Sequence, residues 1–104
     1  MARYDVYANP DTSDRATVPF ILDVQNDFLE GLETRVVVPL FASARFSTQI
    51  RKLNPAFEIA GKQVVMDTAS IGAIPTAELR RAVGNLTLHQ LDIQDALDTL
   101  FAGY

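Results

Sequence analysis

Cysteine is absent from this 104-residue sequence. That removes a disulfide framework, any thiolate metal site and any cysteine nucleophile, and it fits a reducing compartment such as the cytoplasm. Histidine occurs once, at His89, so a metal site would rest on that ring plus carboxylates, and no H-x-x-x-H spacing exists to build one. The five glycines are scattered and form neither a G-x-G-x-x-G nor a P-loop, which argues against a phosphate cradle. No apolar run approaches the roughly 20 residues that span a bilayer, and Asp5 and Asp14 interrupt a start without a signal-peptide core. A soluble, cytoplasmic protein with no membrane partner is the expectation.

Positive charge is scarce too. The formal net charge is −4, and no Lys or Arg occurs from Ala82 to Tyr104. Nucleic-acid binders displace counterions with a basic stripe, and none is visible, so direct nucleic-acid binding by the chain alone is not expected. Arg45 and Arg51-Lys52 read as the only concentrated cations, on what is expected to be a solvated strand face. The partner expected from charge is another protein.

What is present is an ordinary globular balance, 48% hydrophobic and 21% charged, in a chain sized for one domain over residues 1–104. Ala2, Tyr4 and Val6 alternate with polar positions, the period-2 mark of a strand. Val18 to Gln25 reads as the next strand, with Val18, Phe20, Leu22 and Val24 on one face. Arg35 to Leu40 reads as a third. Ala42, Ala44, Phe46, Thr48 and Ile50 also alternate and predict a fourth, broken by Asn54-Pro55. Phe57–Ile59 and Gln63–Met66 flank Ala60-Gly61-Lys62 as a hairpin. Asp67 to Ile74 reads as strand or loop, and Thr76 is placed to cap a short helix over Ala77 to Val83 that Gly84 ends.

The last segment is the clearest. Thr87 with Gln90 three residues on forms a capping-box pattern. Ile93, Ala96, Leu97, Leu100 and Phe101 then fall on one helical face, while Asp92, Asp95 and Asp98 lie toward the other. Helical phase alone leaves Phe101 open between core and interface. Three acidic residues late in a helix oppose its macrodipole, which suits a solvated face or a cationic partner. Five or six strands with one terminal helix predict a β-rich α+β fold, a small barrel or compact sheet under a helix.

Catalytic groupings are few. Asp23 and Asp27 have a spacing that acid–base work can use, but Asp23 falls within a predicted strand and Asp27 at a turn, where carboxylates bond to amides. No catalytic residue, cofactor site or metal site is assigned, and function by binding rather than catalysis is the expectation.

Several segments, in order, resemble one family. Tyr4-Asp5-Val6-Tyr7, Leu22-Asp23-Val24-Gln25-Asn26-Asp27, Arg35-Val36-Val37-Val38-Pro39-Leu40 and Ala42-Ser43-Ala44-Arg45 come first. Leu53-Asn54-Pro55, Ile59-Ala60-Gly61, Met66-Asp67-Thr68-Ala69-Ser70 and Asp92-Ile93 follow. Each is weak alone, but in this order and spacing the chain resembles the CcdB toxins of bacterial toxin–antitoxin modules along essentially its whole length.

The resemblance implies an SH3-like small β-barrel with a C-terminal α-helix, a homodimer, and a toxin that binds the A subunit of DNA gyrase and traps the gyrase–DNA cleavage complex. It implies neutralisation by a cognate antitoxin with a disordered tail, and no catalytic residues. Carried over by position, the gyrase-contacting surface falls on Phe101, Ala102, Gly103 and Tyr104, on Asn26, Phe28 and Leu29, and on Asp98 and Leu91. The family typically has tryptophan where Ala102 stands, and this chain has no tryptophan at all. Losing such an anchor costs ~2 kcal/mol or more, roughly thirtyfold in affinity, which Tyr104 offsets in part. Two alternatives remain: a family member with a lost or redirected topoisomerase target, and an mRNA endoribonuclease of the same fold using Arg45, Arg51 and His89.

Overall fold

The computed structural model describes residues 2–29 and 31–102. Its strands are β1 (Asp5–Ala8), β2 (Phe20–Asp23), β3 (Thr34–Ala42), β4 (Ala56–Ile59), β5 (Lys62–Met66), β6 (Gly72–Pro75) and β7 (Ala82–Asn85). The α-helix, α1, is Gln90–Ala102. Every pairing is antiparallel, in the order β4-β5-β3-β2-β1-β7, with β6 also on β3.

Strand β3 organises the rest. One edge pairs with β2, while the other carries β6 along Thr34–Val37 and then β5 along Leu40–Ala42. A strand that serves two partners in succession on one edge curls the sheet, and the result is a half-barrel with one helix, a small β-barrel α+β fold as the sequence predicts.

The curl encloses a core in which Val6, Leu22, Val38, Leu40, Val64, Met66 and Ile93 are fully buried. Helix α1 covers it with Ile93, Ala96 and Leu97, the face that the helical spacing predicts. Burying side chains of this kind contributes about 1.5–3 kcal/mol each. The other face of the sheet carries a second cluster of Tyr7, Ile21, Val37 and Leu79, with Ile74 packed against it. Strand β2 is therefore buried on both faces, with Phe20 and Leu22 toward the main core and Ile21 toward the second cluster.

The predicted hairpin is present. β4 and β5 are joined by Ala60 (φ 49°) and Gly61 (φ 78°), both left-handed, the geometry of a two-residue type I′ turn.

Four expectations are corrected. The first strand starts at Asp5, because Tyr4 turns the chain at φ 71° while its ring still joins the main core. The alternation from Ala42 to Ile50 is not a strand: β3 ends at Ala42, and Ser43–Arg45 form a 3-10 turn. That alternation has no apolar surface to face. Ala44, Thr48 and Ile50 are exposed, and Phe46 folds back edge-on to Phe41 at 5.4 Å. The helix over Ala77 to Val83 reduces to one 3-10 turn at Thr76–Glu78. Leu79 enters the second cluster, and Ala82–Asn85 extend to pair with β1. Thr87 does not cap the helix: Thr87–His89 form a 3-10 turn leading into α1, the N-cap of that turn is Leu86 without a side-chain bond, and Asn85 Oδ1 accepts the Thr87 N–H at 2.8 Å. Among the described residues no helix is long and apolar enough to cross a membrane.

Candidate functional site

The end of β2 fixes the first wall of the candidate site. Asp23 is wholly buried and pairs with Arg35 of β3, Nη2 to Oδ2 at 2.7 Å and Nε to Oδ2 at 2.8 Å. Its other oxygen accepts the Gln25 N–H at 3.0 Å. Burial pushes the Asp23 carboxyl above its ordinary pKa, against the opposing pull of the Gln25 amide and the Arg35 guanidinium. Burial, and then the charge of Asp5, likewise raise the Tyr7 phenol on the same side of the sheet.

Beyond Asp23 the chain turns. Asn26 Oδ1 accepts the Phe28 N–H at 2.9 Å, and the Asn26 carbonyl accepts the Leu29 N–H at 3.0 Å, an Asx turn. Gln25 holds that turn to the sheet: its side-chain oxygen accepts the Val36 N–H at 3.0 Å, and its amide nitrogen donates to the Leu29 carbonyl at 3.2 Å. The tight turn leaves Phe28 94% exposed and Leu29 51% exposed.

The second wall is α1. Gln94, Asp98 and Phe101 recur at helical spacing beside the buried Leu97, and Gln94 donates to Asp98 at 3.2 Å. Arg3 ties the two walls. Its guanidinium donates to the Val24 carbonyl and to Gln94 Oε1, each at 3.2 Å, and its backbone N–H donates to Asp27 at 2.6 Å.

Between the walls runs a groove of about 410 Å³, lined by Asn26 and Leu29 on one side and by Asp98 and Phe101 on the other. Leu97, Val36 and Ile71 make it mainly apolar, with one carboxylate at its rim. Phe101 is 71% exposed, so the open question of its helical phase resolves away from the core. Four sequence-predicted residues from two distant segments thus share one groove. Leu91 lies on the same helical stripe, 77% exposed, but does not line it, and neither do Phe28 or Ala102. Gly103 and Tyr104 lie outside the described residues. Contiguous exposed apolar surface of this kind is suited to contact with a partner.

The sequence assigns no site role to Gln25, Arg3 or Gln94. Gln94 carries a readable signal, lying four residues before Asp98. Arg3 and Gln25 carry none, because their partners are distant or on the backbone.

The catalytic pairings weighed from sequence do not assemble. Asp23 is committed to Arg35, and Asp27 accepts from the Arg3 amide. The His89 ring lies 5.2 Å from that of Phe57, and the groove is not lined by Arg45, Arg51 or His89. No group of three or more His, Asp or Glu among the described residues is placed to hold a metal ion.

The distribution of cations also needs correcting. A separate cavity of about 570 Å³ beside Tyr7 gathers Arg15, Arg80 and Arg81, so the segment at Arg45–Lys52 is not the only place where positive charge concentrates.

A comparison with protein families matches residues 3–103 to the family described as CcdB protein.

Proposed function

From the premise that this chain belongs to the CcdB family, whose members are toxin–antitoxin toxins of the gyrase-poison type, we propose that it binds the A subunit of DNA gyrase and holds the cleaved gyrase–DNA complex. It acts by occupancy and carries out no reaction of its own. The observation that carries this reading is the convergence of Asn26 and Leu29 with Asp98 and Phe101 on one apolar groove.

Energy at such surfaces concentrates in a few large anchors inside a surrounding ring of weaker contacts. Phe101 and Leu29 are the anchors here, with Phe28 and Leu91 at the periphery. Asp98 offers a carboxylate to a cationic group on the partner. The resemblance adds Gly103 and Tyr104 to the gyrase contact, and both lie outside the described residues. The working form is a homodimer in the cytoplasm, because two symmetry-related grooves suit a two-fold topoisomerase. A cognate antitoxin with a disordered tail releases the target.

Purified protein, titrated at micromolar concentration into a supercoiling reaction, is expected to inhibit it and to leave linear DNA after detergent and protease. Full supercoiling with no linear product refutes the proposal.

A second reading rests on Ala102, an exposed methyl at the end of α1 where the family typically has tryptophan. It keeps the dimer and the antitoxin contact but has toxicity lost or redirected, with another topoisomerase as one such target. Expression in a host without antitoxin tests it: unimpaired growth beside an intact dimer favours this reading, whereas filamentation with DNA damage rejects it.

A further inference from the structure

The groove's first wall is a four-residue turn, Asn26 to Leu29, exposed throughout. Short exposed turns of this sort open easily unless something holds them. Hydrogen bonds within the turn close it on itself but do not place it relative to the sheet. Arg3 gives the turn one tether, its N–H donating to Asp27 at 2.6 Å, and Gln25 is the residue that ties the turn to β3.

Every polar group of Gln25 is engaged. Its N–H donates to Asp23 Oδ1 at 3.0 Å, and its carbonyl accepts from Arg35 Nη2 at 3.5 Å, which fixes its backbone to the buried ion pair. Its side-chain oxygen takes the Val36 N–H at 3.0 Å, so the side chain is anchored on β3. Its side-chain nitrogen reaches outward to the Leu29 carbonyl at 3.2 Å. The residue is itself buried, at 7% exposure, so a polar group of its side chain left without a partner is costly. One half of a single amide grips the sheet and the other half grips the groove wall.

We propose that Gln25 is a positioning residue: its amide sets the Asn26–Leu29 wall against the sheet, and so fixes the groove's width before any partner arrives. The functional consequence rests on the reading that this groove receives the target. A wall held in place in the free protein spares the complex the ordering cost of fixing it on binding.

Gln25→Glu tests the idea, because it keeps the shape and the acceptor for Val36 but turns the donor facing Leu29 into a second acceptor. Gln25→Met is its uncharged companion and removes both bonds. Backbone NMR of the free protein reads the wall directly through the amide relaxation of residues 26–29, and hydrogen exchange at Val36 reads the sheet side.

In Gln25→Glu the turn is expected to become mobile on the nanosecond scale while the Val36 amide stays protected. Affinity for a fragment of the gyrase A protein is expected to fall about tenfold. Gln25→Met is expected to loosen both the turn and the Val36 amide, so a role confined to the sheet side would move Val36 without moving the turn. A turn as ordered in both variants as in the wild type overturns the proposal, and so does a mobile turn with unchanged affinity. If the wild-type protein does not bind gyrase, the functional reading fails by itself, and the relaxation data still decide whether Gln25 places the wall.

Discussion

Replacing Arg35 with methionine removes the one counter-charge that the described residues place against a carboxylate with no access to water. Asp23 is 0% exposed and Arg35 only 3%, and their charged atoms meet at 2.7 Å. Breaking a buried pair from one side leaves an uncompensated charge and costs about 3–5 kcal/mol. That is a large part of the ~5–15 kcal/mol by which domains are stable.

The loss is expected to depend on pH in a definite direction. Burial already raises the Asp23 carboxyl, and Arg35 is one of the groups holding it down, so its removal raises that carboxyl further. Above the raised native pKa, Asp23 is charged in both the folded and unfolded states, and the full penalty applies. Between that pKa and the unfolded value of 3.8, the folded state binds a proton that the unfolded state lacks, so stability rises as pH falls. The deficit of Arg35→Met relative to wild type is therefore largest at pH 8 and shrinks toward pH 5.

Urea denaturation at both pH values, at one fixed protein concentration and with slopes compared, measures this. A deficit under ~1 kcal/mol at pH 8, or the same deficit at both pH values, refutes the reasoning. Pairing Arg35→Met with Asp23→Leu is expected to restore most of the loss, since an apolar pair needs no counter-charge.

Other outcomes follow from the same contacts. Leu97→Ala opens a cavity where α1 meets the main core and is expected to cost about 2–5 kcal/mol in thermal or urea denaturation. Phe101→Ala and Leu29→Ala act on exposed side chains, so stability is expected to stay within about 0.5 kcal/mol of wild type. Each is expected to weaken binding to the gyrase A protein, measured by calorimetry, by about tenfold or more. Ala102→Trp adds an aromatic anchor at the end of α1 and is expected to lower the concentration that half-inhibits supercoiling by about tenfold or more.

The helix and the strands around Leu22 and Val38 were legible because each has a core to face, and burial imposes a period. Ala42–Ile50 shows the converse. Its alternation is real in the letters, but it meets no apolar layer, so the chain turns instead. Ala77–Val83 misleads because Leu79 is claimed by a cluster on the far side of the sheet, and the backbone after it by β1. The groove was half legible. Large apolar residues and an Asx turn mark Asn26–Leu29 and Phe101. The polar side chains that hold its walls act across 91 residues, from Arg3 to Gln94, or on backbone atoms, and no local pattern records them.

The pairing of β1 with β7 also governs how the molecule comes together in time. Asp5 and Asn85 bond across 80 residues of chain, and the Tyr4 backbone links the Asp23 carbonyl to the Leu86 amide in the same region. Contacts between residues so far apart close large loops before they gain anything from packing, which slows folding toward the millisecond-to-second range. Arg3 lies one residue before that knot, so the strap between the groove's walls is tied only when the ends of the sheet have met. The groove is then expected to form late in folding, after the two ends of the sheet have paired.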